Sequence, residues 1–454
     1  MASKPITSAE IREAYLNFFE EKGCQRWPSS SLIPDDPSLL LTVAGMVQFK
    51  PYFLQQKHLD PRYVGTTTAQ KCVRTNDIDI IGTDGRHLSF FEMLGNFSFG
   101  AYFKKEMCAW AYEFSVDVLG LDPDRIYVTI YEEDEETADI WQEVGVPADH
   151  ISRLGADDNF WVAGPTGPCG PCSELYYDQG EDVGCGSPDC KPGCDCDRFL
   201  EYWNLVFTQF DRQEDGTMIP LEKKNIDTGL GLERMAAIMQ GVSSNFDTDI
   251  LHGLIEVGER LSGRHYGDDE LTDLSLRIMA DHSRAIVFMI GDGILPSNEG
   301  RGYVLRRLLR RAVRHGRLIG IEGPFLKSFL DAICTEMGAS AIYCHHHSKG
   351  TQGWKKAMDR ASGSGVFSRD PDAILDIIEL KRPLVRQTEV DGDGGETVII
   401  EEDFDSPRTA WRMEASLREF PPIRPISFFF DYPLHTLDTK GELSGYMADG
   451  SPLS

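Results

Sequence analysis

The chain has 454 residues, enough for roughly two to four domains, and a formal charge of −28 from 45 Lys+Arg against 73 Asp+Glu. That acidity excludes a protein that coats nucleic acid through bulk electrostatics, although a local basic surface can still hold RNA. The start, MASKPITSAEIREAYLNFF, lacks the apolar stretch of a signal peptide, and no apolar run is long enough to span a bilayer, so a cytoplasmic protein with no membrane segment is expected.

The first element is a helix: Thr7 and Glu10 have capping-box spacing, and Ile11, Tyr15, Phe18 and Phe19 recur on one face. From about residue 25 to 240, short β-rich runs (TTTAQKCVR, LSFFEML, RIYVTIYEE, YWNLVFTQF) alternate with Gly- and Pro-rich loops and a few helices. This pattern predicts an α+β domain with a mainly antiparallel sheet over residues 1–240. Residues 241–338 read as helices (DILHGLIEVGERL, SLRIMADHSRAIVFMI, GYVLRRLLRRAVRHG), a second domain. After Gly338 the composition shifts to a histidine run, a Gly/Ser stretch and a Pro/Phe-rich end, so residues 339–454 form a third segment.

Two stretches carry chemistry. Between Thr66 and Gly100, a β-like run ends in Arg74, a polar loop follows, and a strand returns through Phe90. A guanidinium there can clamp a phosphate and a ring can stack on a purine, although a salt-bridged Arg and a core Phe fit the same pattern. In NIDTGLGLERMAAI, Asp227 precedes Gly229, Gly231 and a helix bearing Glu233 and Arg234. The glycines allow backbone to approach a ligand and Asp227 offers a carboxylate to an ammonium group, while a simple capped turn is the plainer alternative.

A third stretch is the helix YVLRRLLRRAVRHG. Leu305, Leu308, Leu309, Ala312 and Val313 follow helical spacing, which leaves Arg306, Arg307, Arg310, Arg311, Arg314 and Arg317 on or beside the other face. No acid occurs from Arg301 to Arg317, so phosphate contact competes with the reading as a solvated face. Eleven cysteines in a cytoplasmic chain do not suggest a disulfide framework, and six fall between Cys169 and Cys196. Cys185, Cys190, Cys194 and Cys196 in GCGSPDCKPGCDCDRF can wrap a tetrahedral Zn²⁺ or remain reduced thiols, with Cys169 and Cys172 as alternative ligands.

SSSLIPDDPSLLLTVAGMVQFKPYF, QKCVRTNDIDIIGTDGRHLSFFEMLGNFSFG and DTGLGLERMAAIMQ resemble the three signature motifs of class II aminoacyl-tRNA synthetases in their alanine-specific bacterial form. DNFWVAGPTGPCGPCSELYYD and ADHSRAIVFMIGDGILPSNEGRGYVLRRLLRRAVRHG resemble the same family. The resemblance implies activation of alanine by ATP with Mg²⁺ and transfer to alanine tRNA. It implies that Arg74 holds the α-phosphate, Arg234 the outer phosphates, Phe90 the adenine, and Gly231 the nucleotide. Asp227 would take the substrate ammonium, with Trp161, Val206 and Gly229 around a methyl-sized pocket whose loop, GPTGPCGPC, is rigid. Asn298, Arg301, Arg306, Arg307, Arg310, Arg311 and Arg314 would contact tRNA, in a monomer that needs no DNA or membrane.

The resemblance stops near Gly338, so an editing domain is not expected. Residues 339–454 instead resemble the C-terminal half of RecA-like ATPases of the plasmid replication type, with a strand at Ile342–His347. No Walker A loop is found to accompany it. A catalytically idle tRNA-binding module and a fusion fragment of a replication-type ATPase are the competing readings.

Overall fold

The computed structural model describes residues 6–162, 166–194 and 196–336, and six strands between residues 373 and 437. Along the chain come α1 (Ser8–Glu21), β1 (Cys24–Arg26), a 3₁₀ turn (Gly45–Phe49), α2 (Lys50–Phe53), β2 (Gly65–Val73), β3 (Phe90–Phe97) and α3 (Lys104–Glu113). β4 (Ile126–Tyr131), α4 (Glu135–Val144), β5 (Ile151–Leu154), α5 (Ala156–Asn159), β6 (Phe160–Val162) and β7 (Gly167–Asp178) follow. Next are β8 (Phe199–Arg212), β9 (Met218–Gly231), α6 (Leu232–Gln240), α7 (Asp249–Ser262), α8 (Glu270–Gly291), α9 (Gly300–Leu318) and α10 (Lys327–Glu336). Two compact units result: residues 1–289 with 307–336, and residues 290–306 with 337–454.

In the first unit the strands form one sheet in the order β1-β2-β3-β9-β8-β7-β4-β5, with β6 paired to β7. Only the outer pairs β1/β2 and β4/β5 are parallel, so the expected mainly antiparallel α+β sheet is what forms. The capping box opens α1, where Thr7 Oγ1 accepts from the Glu10 N–H at 3.2 Å and the Glu10 carboxylate accepts from the Thr7 N–H at 3.0 Å. Ile11, Tyr15, Phe18 and Phe19 are buried along one side of that helix. Tyr15 and Phe19 meet Trp203 of β8 at ring separations of 5.5 and 6.2 Å, so α1 covers the middle of the sheet.

Strand alternation gives the sheet two faces with different duties. Phe90, Glu92 and Asn96 of β3 point to the helix side, where they meet Phe288, Arg12 and Tyr15. Phe91, Met93 and Phe97 take the opposite face, together with Asp227, Gly229 and Gly231 of β9 and Asn204 and Val206 of β8. Phe97 there joins a cluster of Met46, Val47, Phe49 and Phe53, against which Trp161 packs.

Gly167–Asp178, expected in part as a rigid loop, is a strand paired to β8, and a Cβ at Gly170 would lie 2.0 Å from the Phe207 carbonyl oxygen. Only glycine permits that approach. Among the described residues, no helix is long and apolar enough to cross a membrane.

In the second unit, β10 (Ala373–Leu380), β13 (Thr409–Leu417), β14 (Ile426–Asp431) and β15 (Leu434–Leu437) form a four-stranded antiparallel sheet in that order. β11 (Leu384–Val390) and β12 (Glu396–Glu402) form a two-stranded antiparallel pair. The RecA-like resemblance finds no support here: described pairings are antiparallel, where a strand–helix–strand α/β segment would pair its strands in parallel. The strand expected at Ile342–His347 lies outside the described residues.

Candidate active site

Arg74 sits just past the end of β2, where its N–H donates to the Ser89 carbonyl at 2.9 Å. Its Nε donates to the Val43 carbonyl at 3.0 Å, and its guanidinium lies 5.1 Å from the centre of the Phe91 ring. The side chain is exposed and its Nη groups have no partner among the described residues, an arrangement suited to an anion.

Phe90, expected to stack on a purine, does something else. It is 1% exposed, stacks on Phe288 of α8 at 4.4 Å with an interplanar angle of 16°, and has the Arg284 guanidinium 4.8 Å from its ring. The hairpin register explains this. Val73 pairs with Phe90 and Cys72 with Phe91, so Phe91, not Phe90, shares a face with Arg74. Sequence reasoning had the two adjacent rings before it and lacked only the register.

Asp227 lies on β9 opposite Val206 of β8. It is 7% exposed, and its carboxylate has no hydrogen bond or ion pair among the described residues. Burial alone raises its pKa from the ordinary aspartate value to about 8. Beside it on the same face, Asn204 donates from Nδ2 to Glu174 at 2.8 Å while its own buried Oδ1 lacks a partner. Burial, followed by the nearby Glu201 charge, raises Glu174 to about 8, and the Tyr176 hydroxyl donates to it at 2.5 Å. An unpartnered carboxylate and an unpartnered amide oxygen on one face of the sheet form a receptor for a small cation with hydrogens to donate. Asn204 and Glu174 were not singled out from the sequence. Their signal was parity along the strand, since Asn204 is two residues from Val206.

The two glycines differ. A Cβ at Gly229 would approach the Met93 sulfur to 2.8 Å, so the neighbouring side chain fills the space beside it. A Cβ at Gly231 would meet nothing nearer than Arg234 at 3.6 Å, which leaves that position open.

Glu233 and Arg234, adjacent at the start of α6, diverge. Arg234 Nη1 donates to the Glu201 carboxylate at 2.7 Å and carbonyl at 2.9 Å. Glu233 turns inward to a buried ion pair with Arg284 and accepts from the Glu92 N–H at 3.2 Å. Arg12 of α1 completes the series with a bidentate pair to Glu92 at 2.6 and 2.7 Å. These buried charges are matched in sequence, so the helix side of the sheet is fixed around the strands that carry the open face.

On α9, Leu305, Leu308 and Ala312 are buried as the spacing predicts, while Val313 is 39% exposed and lies off the apolar stripe. The arginines are not equivalent. Arg310 and Arg314 are exposed and have no partner among the described residues. Arg307 and Arg311 are bound to the loop between β2 and β3. In the second unit, the exposed Asn298 accepts from Arg306 Nη1 at 3.0 Å, and Arg301 and Arg306 both have polar partners. Trp161 pairs with Gly170 through β6 and is half-buried.

The Sγ atoms of Cys185, Cys190, Cys194 and Cys196 all lie within 4.8 Å of one another, with Cys185 to Cys194 at 3.8 Å and Cys190 to Cys196 at 3.4 Å. Zinc–thiolate bonds of about 2.3 Å in a tetrahedron place sulfurs about 3.8 Å apart, so the four residues fit the ion. Cys169 and Cys172 are buried in β7 and do not join the group.

Residues 10–350 match the family model described as tRNA synthetases class II (A). The chain is 56% identical over 334 residues to the alanine–tRNA ligase of Desulforamulus reducens, 58% over 335 residues to that of Carboxydothermus hydrogenoformans, and 53% over 343 residues to that of Desulfitobacterium hafniense. These alignments cover 73 to 75% of this chain and 38% of each relative, so the chain spans well under half the length of the curated proteins it matches. With the antiparallel sheet, the Arg74 hairpin and the β9–α6 junction all inside the matched region, the chain belongs to the class II (A) family of tRNA synthetases.

Proposed function

We propose that the chain activates alanine with ATP, forming alanyl-adenylate and pyrophosphate, and passes the alanyl group to the 3′ end of alanine tRNA in the cytoplasm. The observation that carries this reading is the Asp227 carboxylate, buried and unpartnered beside the unpartnered Asn204 Oδ1. The α-ammonium of an amino acid supplies the charge and the donors that both lack. Val206 faces Asp227 across the β8–β9 pair and Gly229 follows on the same face; with Trp161, which the family resemblance adds to the pocket wall, they favour a methyl side chain over larger ones.

The reaction needs little proton transfer, because a carboxylate is already a nucleophile near neutral pH. Arg74 counters the charge that builds on the α-phosphate as the carboxylate attacks, and Phe91 takes the adenine-stacking role on the same face. Gly231 leaves room beside the nucleotide, and Arg234, anchored by Glu201, presents its remaining guanidinium edge to the outer phosphates. Mg²⁺ bound with ATP would neutralise its phosphates.

The helical residues 241–338 serve tRNA. Arg310 and Arg314 offer unpaired positive charge to the RNA backbone, Arg301 and Arg306 precede them in sequence, and Asn298 offers an exposed amide to the acceptor stem of a tRNA bound by the monomer. The four-cysteine loop holds one structural Zn²⁺. Metal analysis of the purified chain is expected to find one zinc per chain in the wild type and markedly less in Cys190→Ser; zinc-supplemented protein that retains none contradicts that assignment.

Alanine-dependent ATP–pyrophosphate exchange tests the main reading. Exchange is expected in the wild type, with at least about a 100-fold loss of kcat/KM for alanine in Asp227→Asn, the order expected when one partner of a buried charge pair is removed. Folded wild-type protein that does not exchange would leave only an idle tRNA-binding module.

A further inference from the structure

The loop between β2 and β3 carries the residues that lead into Arg74 and Phe91, and side chains from α8 and α9 hold it at several points. Arg307 Nη2 binds both Asp79 carboxylate oxygens at 2.9 and 3.0 Å. Arg311 Nη2 donates to the Ile81 carbonyl at 3.1 Å and to the Asp79 carbonyl at 3.3 Å. The other nitrogen of Arg311, Nη1, lies 3.1 Å from His282 Nε2 on α8. His282 Nδ1 reaches Asp281 at 2.7 Å, and Asp281 grips Ser89 through both the N–H, at 2.8 Å, and the hydroxyl. The Ser89 carbonyl accepts from the Arg74 N–H, which closes a continuous path from α9 to the candidate phosphate ligand.

The polarity of the path is consistent throughout. Asp281 accepts from the Nδ1–H of a neutral imidazole, which frees the Nε2 lone pair to accept from Arg311. Burial pushes His282 below its ordinary range, in keeping with that neutral form. Asp281 and His282 are fully buried, so this inner part of the path is shielded from water.

We infer that Arg307 and Arg311 are positioning residues of the nucleotide site, which hold the β2–β3 loop so that Arg74 and Phe91 are preset for ATP. This divides the basic helix: Arg310 and Arg314 face outward, while Arg307 and Arg311 are already committed within the protein. The inference rests on the reading that Arg74 and Phe91 bind ATP.

The test is alanine-dependent ATP–pyrophosphate exchange without tRNA, comparing Arg307→Ala, Asp79→Ala, the double variant and Arg311→Gln. Asp79 is an anion and cannot be a phosphate ligand, so a shared phenotype with Arg307 points to the pair itself. The expected result is a rise in KM for ATP of about two- to fivefold in each single variant of the exposed pair, with the double no worse than either. A rise of about tenfold or more is expected in Arg311→Gln, with KM for alanine within about twofold of wild type in all four.

Variants that exchange as wild type does while losing tRNA affinity would overturn the inference and return both arginines to RNA contact. A lowered melting temperature with KM for ATP and alanine raised alike would overturn it in favour of a structural role. Asp79 and Arg307 side chains are 84% and 43% exposed, so Asp79→Asn and Arg307→Gln keep the test open if Arg311→Gln does not fold. Wild-type protein that does not exchange at all would instead indict the ATP-binding reading.

Discussion

Asp227 has been moved far from ordinary aspartate acidity by burial, and the direction of that shift has two consequences. A folded-state pKa of about 8, above the unfolded value, gives a stability contribution that is complete below about pH 4 and is lost as pH rises toward 8. Asp227→Asn is therefore expected to make the ligand-free chain relatively more stable near pH 8 while it destroys alanine activation; thermal melts at about pH 5 and 8 check this, and a variant less stable than wild type at both would contradict it. The aromatic pair separates the same way. Phe91→Ala is expected to raise KM for ATP about tenfold or more with little effect on melting, whereas Phe90→Ala is expected to cost about 3–5 kcal/mol of stability. Reversal of those two phenotypes would return the stacking role to Phe90.

At this scale the sequence discloses chemistry better than orientation. Arg74, Asp227 and Gly229 stand out in the sequence as candidates because a strand end, a lone acid and a Gly-rich stretch mark them. Phe90 and Phe91 are indistinguishable by composition, and only the pairing of Val73 with Phe90 decides which ring faces the open side. Asn204 shares strand parity with Val206, but that signal gains meaning only through Asp227, a neighbour supplied by a different strand.

Among elements, α1 is the most legible, with its capping box and its buried stripe falling where local rules put them. The sheet order is not legible: β9 inserts beside β3 and pairs with it at Met93 and Leu94, with a further bridge from Ser98 to Ile226, a pairing between strands far apart in sequence that no local pattern encodes. The β7–β8 hairpin shows why its long loop needs a staple. The bidentate Arg198–Asp178 pair, at 2.9 Å for each bond, pinches its base, and beyond that pair the loop is largely Gly, Pro, Asp and the four cysteines. With so little apolar area to bury, a metal would contribute much of its order. Chelation is expected to speed amide exchange across residues 179–198 and leave α1 protected; equal exchange with and without chelator would argue against a structural ion.

For the molecule as a whole, a charge of −28 sits beside a helix with no acid from Arg301 to Arg317. Affinity for tRNA is therefore expected to fall steeply with salt, and removal of Arg310 or Arg314 is expected to reduce the slope of log K against log salt by about 1 for each phosphate that the variant no longer neutralises. An unchanged slope in both variants would move the RNA surface elsewhere. In the proposed alanine activation, the charge that selects the amino acid is the buried Asp227 carboxylate paired with an incoming ammonium. Its most direct test is the pH dependence of KM for alanine in ATP–pyrophosphate exchange. The expected result is a fall of about tenfold per pH unit up to about 8 and a plateau above, because only ionised Asp227 binds the ammonium, with the slope kept in Glu174→Gln and abolished in Asp227→Asn. A flat profile in the wild type, or the same slope in Asp227→Asn, would contradict it.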